Sequence, residues 1–348
     1  MMAVSATLAL GLGLGATFGA AARVGRFCLL RGVAGLRAGG DPSALRAFAL
    51  AMLVALLATQ ALNLTGGTDL EAAMQIRATN PWPSMAAGGV IFGLGMVLAN
   101  ACGARSLVLL GGGNLRALLV LLCLGLAAQA TLTGVLAPMR MAAQQTGTGS
   151  GTTSLPQMLQ MAGLSGSSAL ALSIAVPALV LGCFAWPLLR RSRTEALAAL
   201  VIGLTIAGGW WASFAIDDPF DPRPLVSLSF VGPLGDGLLW LMLATGRQVS
   251  FAVAVVAGTL LGAFAAALAT GSFRTESFGS APQVLRAIAG GVLMGFGGVL
   301  ALGCSIGQGL SGFSTLSPGS LVALAGILAG IRVGLSLVSR PVTAGTRT

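Results

Sequence analysis

The stretch 290-GGVLMGFGGVLALGCSIGQGLSGFSTLSPG-319 decides the fold. It is apolar, carries no charge, is laced with glycine, and holds one thiol, Cys304. Glycine inside a helix costs about 1 kcal/mol relative to alanine. A run that accepts this cost repeatedly is built either for close helix contact or for a break in mid-membrane.

The stretch has a near-twin. Residues 88-GGVIFGLGMVLANACG-103 align without gaps to 290-GGVLMGFGGVLALGCS-305, an offset of 202, and nine of the sixteen positions are identical, Cys102/Cys304 among them. The same offset lays the apolar 45–62 on 247–264. The chain therefore reads as a duplication, with a first repeat over 1–140, connecting helices over 141–224 and a second repeat over 225–340. An odd number of crossings between the copies makes the repeat inverted.

Composition sets the class. Of 348 residues, 55% are hydrophobic and 8% charged, with mean hydropathy +0.92, whereas a soluble domain carries about a quarter charged residues. Apolar segments lie near 3–22, 44–62, 84–101, 115–137, 168–189, 196–216, 225–245, 248–270, 287–303 and 319–338. The expected fold is an all-α polytopic membrane protein: an inverted-repeat helical bundle with short broken or re-entrant Gly-rich helices. About nine transmembrane helices result if one apolar segment fails to cross. The N-terminal segment has its arginines after the apolar run, the reverse of a cleaved signal peptide, and so reads as a first membrane helix.

Charge gives orientation and excludes chemistry. All nineteen basic residues are arginine, and the chain has no Lys, His or Tyr. Clusters after the first and fifth segments and at Arg332, Arg340 and Arg347 mark cytoplasmic loops. The acidic 217–224 and the polar 144–154 then face outward, the N-terminus is periplasmic and the C-terminus cytoplasmic. The arginines are a membrane signature and call for no nucleic acid. Without His, Lys or Tyr, an ordinary hydrolase or a His-ligated metal site is excluded, and no catalytic residue, metal or cofactor is expected. Asp236 and Glu195 are the carboxylates near enough to membrane ends to test as proton relays.

Five cysteines, with no CxxC pair, argue against a disulfide framework. Three share a register. Gly15 and Gly19 precede Cys28 by thirteen and nine residues, as Gly89 and Gly93 precede Cys102, and Gly291 and Gly295 precede Cys304. The fourth equivalent place, 230–246, has no cysteine, and Cys123 and Cys183 read as small core-type hydrophobes. A thiol at each of three breaks lines one path. The candidate contacts are Cys28, Cys102 and Cys304 with Gly103, Ser305, Gln308 and Asn100, the last three serving equally well as helix–helix hydrogen-bonding groups. Arg23 and Arg26 are either a funnel for anions or a membrane anchor.

The stretches 11-GLGLGATFGAAARVGRFC-28, 88-GGVIFGLGMVLANACGARSL-107 and above all 290–334 resemble the YeeE/YedE family of sulfur-transport membrane proteins, and the likeness covers essentially the whole chain. The resemblance implies uptake of thiosulfate or a related sulfur anion across the bacterial inner membrane. It also implies a fold pinched at the centre and three functional cysteines, which fall on Cys28, Cys102 and Cys304. It further implies a small cytoplasmic TusA-like sulfur-carrier partner, expected as a separate chain. Arg105, close after Cys102, departs from the pattern.

Thiols suit such a substrate. Conduction needs weak, successive sites, and a buried thiol, with an ordinary pKa of about 8.5, stays protonated as an uncharged donor. The alternatives are a membrane sulfurtransferase with a cysteine persulfide relay, a soft-metal transporter, and passage of sulfite or a selenium compound.

Overall fold

The computed structural model describes residues 2–37, 39–77, 81–145, 154–216 and 225–338. The acidic 217–224, most of the polar 144–154, Arg340 and Arg347 lie outside the described residues. The helices are α1 (Met2–Val24), α2 (Leu29–Arg37), α3 (Ser43–Leu64), α4 (Met74–Arg77), α5 (Trp82–Ala99), α6 (Gly103–Gly111), α7 (Leu115–Leu132), α8 (Ala137–Gln145), α9 (Leu155–Met161), α10 (Gly166–Arg191), α11 (Arg193–Ala215), α12 (Val231–Met242), α13 (Phe251–Ala269), α14 (Ala281–Leu300) and α15 (Pro318–Val338). A π-helical turn, Gly307–Gly312, lies between α14 and α15. Among the described residues there is no strand beyond two isolated bridges, Ala73–Leu225 and Asn114–Glu276.

Nine spans among the described residues are long and apolar enough to cross a bilayer, with α1–α2 and α5–α6 counting as one broken span each. The protein is an all-α, multi-pass membrane protein. The apolar segment that stops short is 225–245. There the chain runs in without helix from 225 to 230, and α12 has only twelve residues, about 18 Å of helix.

Glycine decides which helices touch. On α1, a Cβ at Gly15 would stand 2.2 Å from the Val255 carbonyl oxygen, and one at Gly19 2.1 Å from that of Thr259. α13 answers with Gly258 and Gly262, whose Cβ would meet the carbonyls of Leu12 and Ala16 at 2.3 and 2.0 Å. α5 meets α15 in the same way, Gly89 and Gly93 against Gly326 and Gly330. Without a hydrophobic force between helices in lipid, such backbone approach is what holds them together.

The helix pairings obey an exchange. α1 lies on α13 and α3 on α11; α5 lies on α15 and α14 on α7; α5 and α14 lie on each other. In that central pair Gly88 packs against Gly297 and Gly95 against Gly290. Each of these residues is the 202-offset twin of the other's partner. The exchange also engages α11, within 141–224. α10, with Pro177 and Pro187 inside it, lies at the periphery and is mostly exposed.

Contacts between loops define two ends. At one, Arg23 Nη2 donates to the Ser272 carbonyl at 2.8 Å, Arg37 Nη1 to the Arg332 carbonyl at 3.1 Å, and Arg31 and Arg191 pair with Glu195 and Asp41, each at 3.4 Å. At the other, Ser317 Oγ donates to the Gln75 carbonyl at 3.2 Å and Leu155 N–H to the Leu316 carbonyl at 2.9 Å. Glu195, a sequence candidate for proton relay, is thus engaged with Arg31 at the arginine-rich end.

The close contacts predict a graded response. Gly19→Leu or Gly262→Leu drives a side chain into backbone and lowers stability by about 1–3 kcal/mol or more. Gly13→Ala, with nothing within 4 Å of the new Cβ, leaves it unchanged. Thermal unfolding of the purified protein in detergent reads the difference.

Candidate functional site: three thiols at three helix breaks

Breaking a helix inside a membrane strands backbone N–H and C=O groups, and each must find a partner in the protein. Three breaks solve this with one motif. Two residues before each cysteine, a non-glycine residue takes the left-handed conformation: Arg26 (φ 48°), Asn100 (φ 56°) and Leu302 (φ 56°). The next residue donates its N–H five residues back, Phe27 to Ala22 at 3.1 Å, Ala101 to Met96 at 3.2 Å and Gly303 to Gly298 at 2.8 Å, the closing bond of a Schellman cap. The cysteine sulfur then accepts the N–H three residues on: Arg31 to Cys28 at 3.5 Å, Arg105 to Cys102 at 3.5 Å, and Gly307 to Cys304 at 3.3 Å. Each thiol occupies the position that Ser, Thr, Asp or Asn usually fills at a helix N-terminus.

The fourth place completes the picture. An offset of 202 carries Cys28 onto Phe230, which stands at the N-cap of α12 with no side-chain cap bond. Phe230 is fully buried, its ring 5.2 Å from that of Phe18, and it lies beside Gly103. An aromatic ring fills the position where a fourth thiol would stand.

The three cysteines are buried and close together. Cys28 and Cys102 share one small cavity with Arg105, Ser305 and Ile306, and Cys102 lies within electrostatic reach of both Cys28 and Cys304. Ser305 Oγ is buried, lies within interaction reach of the Cys102 sulfur, and makes no hydrogen bond of good geometry. A second cavity, opening toward the other end, is lined by Gln75, Met85, Leu302, Gln308, Ser317 and Ser320. Residues 302–308 divide the two, with Cys304 in the partition.

Gln308 ties the partition together. Its Nε2 donates to the carbonyls of Ala301 and Leu302, both at 2.9 Å, and its Oε1 accepts from Ser320 Oγ at 2.6 Å. Gly103 starts α6 among Leu124, Leu234 and Phe230. Asn100 is exposed and closes α5 through its backbone; its 202-offset twin is Leu302, in the same left-handed conformation. Cys123 is half-buried on α7 against Gly291, and Cys183 is exposed on α10. Arg105, to which sequence reasoning assigned no role, lines the thiol cavity, although a lone charge three residues after Cys102 was its visible mark. Among the described residues no group of three or more His, Cys, Asp and Glu has the geometry to hold a metal ion.

This arrangement, with its duplicated Gly-rich cores, matches a known family over residues 24–333, that of sulphur transport. The chain belongs to the sulphur transport family. It is 28% identical over 326 residues to a protein of Escherichia coli (strain K12) named thiosulfate transporter TsuA, covering 86% of each chain. It is also 28% identical over 262 residues to the protein of that name from Spirochaeta thermophila, covering 68% of this chain and 72% of the relative. Membership makes the protein a transporter by family, and the thiol-bearing breaks are the part of this sulphur transport chain with chemistry to spare.

The left-handed positions give a local test. Asn100→Gly keeps the conformation freely and leaves stability within about 1 kcal/mol, whereas Asn100→Val, β-branched, lowers it by about 1–3 kcal/mol. Denaturation midpoints of the purified variants check this.

Proposed function

We propose that the protein takes up thiosulfate, or an inorganic sulfur anion of like size and charge, across the bacterial inner membrane. The anion passes the thiols of Cys304, Cys102 and Cys28 in succession. The observation that carries this reading is the thrice-built break, in which the sulfur accepts a backbone N–H and so can turn its S–H toward a passing anion. Accepting that bond polarises the S–H and improves it as a donor. Each thiol thus offers an anion a weak, uncharged contact at a helix N-terminus, where the backbone already carries positive potential. Successive weak sites let an ion enter and leave.

The route starts at the cavity of Gln75, Ser317 and Ser320, crosses the partition at 302–308 and ends among the arginines. Gln308, bonded to the Ala301 and Leu302 carbonyls and to Ser320, is the latch that must loosen for the anion to pass. The arginine-rich end is the cytoplasmic one by the positive-inside rule, with the N-terminus periplasmic and the C-terminus cytoplasmic. A TusA-like sulfur carrier is the partner that would accept the sulfur there. Sulfur transfer through a persulfide is the competing chemistry. The cavity disfavours it, because apart from the thiols its only ionisable lining group is Arg105, which cannot take a proton from a thiol.

Serine separates the sulfur from the fold, because its hydroxyl can still cap the helix. With Cys28, Cys102 and Cys304 all changed to Ser, the protein folds, and uptake of labelled thiosulfate into proteoliposomes falls by about tenfold or more. Full uptake by that variant overturns the proposal. A persulfide adduct on the wild-type thiols, seen by mass spectrometry during turnover, would move the assignment to a sulfurtransferase.

A further inference from the structure

The two halves of the thiol path are unequal. In the second copy the residue whose N–H the cysteine caps, three positions on, is Gly307; in the first it is Arg105. The backbone role is the same at both, so the arginine side chain is an addition. It lines the cavity that holds Cys28 and Cys102, and it makes no ion pair among the described residues. Arg23, which interacts with Arg105, also has Arg26 and the carboxylate of Glu276 within electrostatic reach, two further arginines to one acid. Ser305, 1% exposed, lines the same cavity, and its hydroxyl has only the Cys102 sulfur, a weak acceptor, within interaction reach and no hydrogen bond of good geometry. A buried donor without a strong acceptor is costly, and a guanidinium lining the same cavity favours an acceptor of both that carries negative charge.

The geometry points to a built anion site on the arginine-rich side of the partition: Arg105 and the Ser305 hydroxyl, with the thiols of Cys28 and Cys102. It is selective for a dianion with oxygen acceptors at one end. This inference rests on the transport reading above. The twin of Arg105 is Gly307, and the polar residues lining the other cavity are the neutral Gln75, Gln308, Ser317 and Ser320. The path is therefore neutral on one side and charged on the other. An anion crossing the partition moves to the stronger site and rests there before release, so the site sets apparent affinity and the preference for two charges over one.

The test is equilibrium binding of radiolabelled thiosulfate to the purified full chain, with sodium thiocyanate as a monoanionic competitor. Arg105→Gln weakens thiosulfate binding by about tenfold, the loss of one charge-assisted contact, while thiocyanate affinity changes much less. Arg105→Lys recovers most of the affinity. Ser305→Ala weakens binding severalfold and leaves thermal stability unchanged or raised, since it deletes an unsatisfied hydroxyl; a purely structural serine would show the reverse. Arg193→Gln, at the same end but outside the cavity, binds as the wild type does. Wild-type affinity in both Arg105→Gln and Ser305→Ala overturns the inference and leaves the transport reading standing. Should Arg105→Gln fail to fold, Ser305→Ala decides alone. A wild-type protein that neither binds nor takes up thiosulfate sinks the transport reading, and the site with it.

Discussion

Hydrocarbon gives a broken helix no water to lean on, and that constraint shapes everything at the centre of this protein. A chain that stops being helical halfway across must satisfy its own loose carbonyls and amides within a few residues. Here the outgoing carbonyls are closed by a backwards bond from the residue before each cysteine, and the incoming amides by the cysteine itself. The glycine pairs nine and thirteen residues earlier clamp each incoming helix to a neighbour. That one spacing ties each break to the helix contact that precedes it.

Sulfur is a weak acceptor, and serine or aspartate would cap these helices better. Two of the three left-handed residues are also poor choices for that conformation, Arg26 and Leu302. The site thus gives up stability twice over, through soft caps and strained backbone. Such concessions gather where function needs a particular atom in a particular place. The gain is a thiol held at the point where two helix directions meet.

Much of this was legible in the sequence, for physical reasons. Glycines that permit backbone contact leave a spacing, and the contact lies between Gly15, Gly19 and α13 and between Gly89, Gly93 and α15. The spans were legible because their length is set by the bilayer. The segment 225–245 was not, since 21 apolar residues are long enough to cross and nothing in their hydropathy marks Phe230 as a cap. The left-handed turns were hidden because propensity would put glycine where Arg26 and Leu302 stand. Gln308 read only as a polar group near a thiol. Its part in closing the partition depends on carbonyls that become available where α14 ends, which no spacing reveals.

The contact between α5 and α14 has a meaning beyond packing. Gly88 meets Gly297 and Gly95 meets Gly290, and these are two twin pairs crossed over. Such a surface is isologous, as in a two-fold dimer: it is its own complement when one copy is turned end over end. Half of the chain therefore already carries the face that receives the other half. The covalent link between the copies fixes an antiparallel partnership that the glycine face alone specifies.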